Sequence, residues 1–149
     1  MTQEELLAAA DRYSRVASQW FRDGKDALRE KEKEIVAQME LQAPGVKEAV
    51  ADLTRVVREL RRNQGQIQEH LSRALDCPGG PGGEVDANPP AEVASQTAWR
   101  LVDNSINGWL RLKEVFPESE DAILDMLIQL DRLRRAIQQR WPKSGGERP

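Results

Sequence analysis

Acid–base catalysis needs two titratable side chains held in one pocket at different pKa values. This chain offers carboxylates in plenty but a single histidine and a single cysteine. His70 has Ile67 three positions before it, where a di-metal helical bundle would carry the Glu of a Glu-x-x-His pair. Cys77 has no second thiol, so no intramolecular disulfide can form, and a four-ligand zinc site cannot be assembled. Glu118, Glu120, Asp121 and Asp125 cluster where a helix should begin, and the positive end of the helix dipole accounts for them. The glycines after Cys77 run into Glu84-Val85-Asp86 rather than a Lys-Ser/Thr, so they make no phosphate loop. We therefore expect no catalytic residue, no metal, no cofactor and no small-molecule substrate.

Two other chemistries remain. Arg55, Arg58 and Arg62, with Arg61 beside them, share the outer side of a predicted helix and could contact nucleic-acid phosphates. Against this, Glu48, Asp52 and Glu59 stand at ion-pairing distance along the same helix, and no aromatic residues interleave to make a stacking platform. The second chemistry is anchoring of a protein partner by aromatic side chains. Trp20-Phe21, where an apolar stripe thins, and Trp141, beside Pro142, are the candidates.

The element that must position these residues is a heptad seam. Val46, Val50, Leu53, Val57, Leu60, Ile67, Leu71 and Ala74 fall at alternating steps of four and three, with Gln64 in the one polar slot. Such a stripe demands a partner helix. Gln64 either fixes register as a buried amide or reaches water where Gly65 lets the helix bend. Thr2 and Glu5 form a capping box that opens an earlier helix, lined by Leu6, Ala10, Tyr13, Ala17 and Trp20. If unbroken to Gln42 it is about 60 Å long, with Gly24 its weakest point. Ala43-Pro44-Gly45 then turns the chain back on itself.

In that hairpin Val57 and Leu60 face only Ala27, Leu28 and a run of charged residues. Either the aliphatic stems of those residues cover the seam, or something outside the hairpin does.

The predicted fold is all-α: two antiparallel helical hairpins forming a four-helix bundle or coiled-coil-like domain. Residues 1–76 make the longer hairpin, with helices over 2–42 and 45–75, and 77–90 a Gly/Pro-rich linker. Residues 91–141 make the shorter hairpin, with helices over 91–116 and 119–141, and 142–149 a tail. The linker spans at most about 46 Å, enough to close one bundle or to tether two independent hairpins. Asn107-Gly108 predicts a kink or one irregular turn in the third helix. Tyr13, Trp20, Ile67, Leu71, Trp99, Trp109, Ile123 and Leu130 should form a shared core, leaving the tip around 41–53 projecting.

The 149 residues are 39% apolar, 32% charged and 5% aromatic, with net charge −3. That balance excludes a wholly nucleic-acid-coated surface and suits long, surface-rich helices. No apolar run approaches the roughly 20 residues of a membrane helix, and no secretion signal opens the chain, so a cytoplasmic location and no membrane partner are expected. The functional expectation is a non-enzymatic interaction module: an adaptor, scaffold or small subunit that binds another protein or itself. Its partner-binding residues would be Val50, Leu53, Val57, Leu60, Gln64, Trp20, Phe21 and Trp141. The alternative is a helical accessory subunit of a nucleoprotein complex, using Arg55, Arg58, Arg61 and Arg62.

Overall fold

The computed structural model describes the backbone of residues 2–41, 46–76 and 89–142 and, within these, the side chains of all but 35, 36, 38–41, 46–50, 76, 89 and 90. The turn after the first hairpin arm, most of the Gly/Pro linker and the tail from 143 lie outside the described residues. So do the side chains of 46–50, in the stretch expected to project.

The protein is an all-α bundle. Among the described residues its helices are α1 (Gln3–Asp23), α2 (Lys25–Leu41), α3 (Val46–Asp76), α4 (Pro89–Val115) and α5 (Glu120–Arg140), with a 3₁₀ turn at Pro117–Ser119 before α5. The capping box forms as expected. Thr2 Oγ1 accepts from the Glu5 backbone N–H at 3.1 Å, and Glu5 Oε1 accepts from the Thr2 N–H at 2.8 Å. The latter contact, with the hydroxyl beside it, holds the Glu5 carboxyl below the usual range.

The expected first helix is split at Gly24, whose dihedrals (φ −92°, ψ 8°) leave the helical region. The hydrogen-bond ladder nevertheless runs through it, from the Gly24 N–H to the Trp20 carbonyl and from the Leu28 N–H to the Gly24 carbonyl, each at 2.8 Å. A Cβ at this position would lie 2.9 Å from the Trp20 carbonyl oxygen, so the break is built for glycine. Elsewhere the weak helix formers have no such effect. Helix α4 continues unbroken through Asn107-Gly108, and α3 continues unbroken through Gly65.

Helix α3 packs on α4, α4 on α5, and α1 fits between α3 and α5, while α2 extends α1 along α3. Side-chain pairs fix the antiparallel registers. Gln64 Nε2 donates to Ser18 Oγ at 2.7 Å between α3 and α1, and Arg134 Nη1 donates to Asp103 at 2.6 Å between α5 and α4. Arg111 of α4 pairs with Asp52 of α3. Tyr13, Ile67, Leu71, Trp109, Ile123 and Leu130 are fully buried, and Trp20 and Trp99 pack half-buried against them.

One polar cluster is sealed inside. The Tyr13 hydroxyl accepts from Trp109 Nε1 at 2.9 Å. Ser105, also buried, donates to the Leu101 carbonyl at 2.7 Å, as a mid-helix serine commonly does. Burial disfavours the phenolate and pushes the Tyr13 hydroxyl up to about 12, against the opposing pull of the hydrogen bonds to Trp109 and Ser105.

Candidate interaction groove

The stripe on α3 is wider than a two-stranded seam, because helices cover it from two sides. Leu53 and Leu60 are buried in the bundle, joined by Val56, which the heptad spacing did not select. Val57 stands at the stripe's other margin, half-buried, facing α2. Val56 and Leu60 face α4, where Gly108 brings the backbones together. A Cβ on Gly108 would lie 2.9 Å from Leu60 Cδ2 and 3.0 Å from its Cγ. Shallow space of about 220 Å³ remains along this flank, bordered by polar side chains such as Asn63, Asn104 and Asn107.

The α2 flank is different. An open groove of about 450 Å³ runs between α2 and α3, with Leu28 and Val57 on its floor. Lys25 and Arg29 rise from α2, and Arg58 and Arg61 from α3, to form a cationic rim. The one carboxylate in the groove, Glu32, accepts from Thr54 Oγ1 at 3.0 Å. Arg61 lies over the Phe21 ring, 5.7 Å from its centroid. None of Lys25, Arg29, Arg58 and Arg61 forms an ion pair among the described residues, and all four are exposed. The short aliphatic content of α2 therefore leaves the seam open here, and the charged stems flank the floor without closing over it.

The nominated anchors have divided. Phe21 is buried in the chain's own core, as are Leu53 and Leu60, so these three side chains pack inside the bundle. Trp20 is half-buried and meets Trp109, Phe116 and Phe21 edge to face, at centroid distances of 5.2, 5.6 and 5.3 Å. The stripe thins after Trp20 because these large rings fill the space that more numerous aliphatic residues would. Trp141 packs half-buried on the core with Arg140 over its ring at 5.6 Å. Gln64 is half-buried and turns its amide nitrogen to Ser18, while its Oε1 is shielded from solvent without a donor among the described residues. The Val50 side chain lies outside the described residues. Of the described residues in the partner-binding set, only Val57 lines the open groove.

The arginines are sorted in the same way. Arg55 turns to Asp52 and Glu59 and serves the α4 flank. Arg58 and Arg61 serve the groove, and Arg62 is exposed and without an ion pair among the described residues. Lys25 and Arg29, which complete the rim, were not singled out from the sequence. Their spacing of four and their placement opposite Arg58 in the hairpin were the available signals.

Among the described residues, no three metal-capable side chains gather in one place, and no helix is long and apolar enough to cross a membrane. The candidate site on this helical bundle is an apolar trough with a positive rim. Comparison with protein-family models, curated proteins and solved structures finds no match to this chain.

Proposed function

We propose that this protein is a non-enzymatic helical interaction module of the cytoplasm, and that its α2/α3 groove receives an acidic amphipathic helix. The observation that carries this is four unpaired cations above a Leu28–Val57 floor in a chain whose net charge is −3. Apolar floor and charged rim are the two halves of helix-in-groove recognition, the floor taking side chains at i, i+3 or i+4 and the rim setting orientation. An adaptor, scaffold or small subunit of a larger assembly would use such a surface.

A second role is favoured by Arg58 and Arg62, which stand exposed and unpaired: contact with nucleic-acid phosphates in a nucleoprotein complex. One titration separates the two. A fluorescent acidic amphipathic peptide and a fluorescent DNA duplex are each added to wild type, Val57→Asp and Arg58→Ala across a salt series. Peptide binding that Val57→Asp abolishes supports the groove. Duplex binding that falls steeply with salt, weakens with Arg58→Ala and ignores Val57→Asp overturns it in favour of phosphate contact. Binding of neither probe overturns both.

A further inference from the structure

Building on the groove proposed above, we infer that its occupant is a second copy of this chain, presenting the outer face at the start of α5. Three of the four large apolar side chains that stand exposed among the described residues are Leu110, Leu124 and Ile128, at 43%, 39% and 53% exposure. They gather at one place. The Asp103–Arg134 contact at 2.6 Å fixes the α4/α5 register. Seven residues onward on α4, Leu110 therefore falls opposite Leu127, seven residues back on α5. Leu124 and Ile128 lie one turn apart on the outward side of the same seam.

This ridge is edged by carboxylates. Glu120, Asp121 and Asp125 are exposed on the first turns of α5. Asp125 accepts from Gln129 Nε2 at 2.8 Å, and no cation pairs with any of the three among the described residues. Arg132, one turn past Ile128, ends the acidic stretch.

The two surfaces are complementary in shape and in sign. An apolar ridge with unpaired carboxylates matches an apolar trough with unpaired cations, so Leu124 and Ile128 would meet Leu28 and Val57. Like-charged copies of either surface would repel. The groove lies on the α2/α3 edge of the bundle, where α2 continues α1, and the ridge on the α4/α5 edge, across the ring in which α1 neighbours α3, α3 neighbours α4, α4 neighbours α5 and α5 neighbours α1. No copy can fill its own groove, and a pair of copies leaves one groove and one ridge free. The contact is heterologous, so assembly does not stop at a dimer. About six side chains on each side is far fewer than the roughly 20–30 of a standard interface. Each contact is accordingly weak, with Kd of about 10–100 µM, and weakened by salt.

Sedimentation velocity and light scattering on the full chain, from about 10 µM to about 1 mM, test this. At low salt the mean mass should climb past that of a dimer, and about 0.5 M salt should reverse it. Arg29→Glu with Arg58→Glu should weaken association about tenfold or more, and Asp121→Lys with Asp125→Lys likewise. An equimolar mixture of the two double variants restores opposite charges and should associate as wild type does. All four positions are exposed, and circular dichroism verifies that each variant is folded.

A wild type that stays monomeric, a mass that levels off at a dimer, or association indifferent to both reversals overturns the inference. Adding the acidic peptide to the same samples tells this failure from failure of the groove. Peptide bound by a monomeric protein leaves the groove standing without the second copy, and peptide unbound removes both.

Discussion

On one flank of α3, Gly108 lets α4 approach until Leu60 fills the gap, and Arg111 reaches across to Asp52. On the other flank, α2 approaches with Lys25, Leu28 and Arg29, and the cations there form no ion pair among the described residues, Glu32 being turned to Thr54. The residue types are similar on the two sides: valines, arginines and one or two acids. What separates them is whether a small residue allows close backbone contact and whether charges of opposite sign fall in register. A flank with both closes into core. A flank with neither stays open, leaving unmatched charge beside a half-covered Val57.

The largest test of that contrast is truncation of one apolar residue on each flank. Leu60 is 1% exposed, and Leu60→Ala should cost about 2–5 kcal/mol through lost burial and a residual cavity. Val57 is half-buried, and Val57→Ala should cost under about 1 kcal/mol. Urea unfolding followed by circular dichroism measures both. Equal costs would mean that the groove is as closed as the core.

Next in size is the pH response of the sealed interior. Tyr13 is the only tyrosine, so its absorbance change on ionisation reports this one hydroxyl. Its folded pKa of about 12 lies above the ordinary 10.0, so the unfolded chain holds fewer protons between these values. The stabilisation is complete below pH 10 and is lost as pH rises through 12, amounting to about 2–3 kcal/mol. Phenolate appearing only together with unfolding is the expected result. Tyr13→Phe should remove this pH dependence and, at neutral pH, cost about 1–3 kcal/mol by leaving the Trp109 indole N–H without its acceptor. A hydroxyl titrating near 10 in the folded protein would mean water reaches the supposedly closed side.

How much of this was legible in the sequence depends on whether periodicity or pairing carried it. The helices and the shared core followed from apolar spacing, which registers burial directly, and the capping box from the Thr2–Glu5 spacing. Val56 escaped because a strict heptad assumes one neighbour, whereas α3 has helices on two sides. Phe21 looked exposed because the stripe thins after Trp20, yet five of the seven aromatic residues, Tyr13, Trp20, Phe21, Trp109 and Phe116, concentrate at this level of the core. The sparse apolar content opposite Val57 was visible and led to the groove. Its rim was only half visible, since Lys25 and Arg29 acquire meaning only once α2 lies beside Arg58. Gly24, Gly65 and Gly108 looked alike as weak points, and nothing local distinguishes a glycine that breaks a helix from one that admits a neighbour.

Those glycines supply the smallest and most discriminating test. Both Gly65 and Gly108 lie in helix interiors, where alanine is favoured by about 1 kcal/mol. At Gly65 an added Cβ meets nothing within 4 Å, so Gly65→Ala should stabilise by about 0.5–1 kcal/mol. At Gly108 the same methyl meets three atoms of Leu60 at 2.9–3.2 Å, and Leu60 is itself held on all sides. Overpacking of this kind costs about 1–3 kcal/mol, which outweighs the propensity gain. Gly108→Ala should therefore destabilise by about 1 kcal/mol, and the two substitutions should shift the urea midpoint in opposite directions. A shift of the same sign at both would mean that α4 does not press on α3 at Gly108, and the distinction between a closed and an open flank would lose its structural cause.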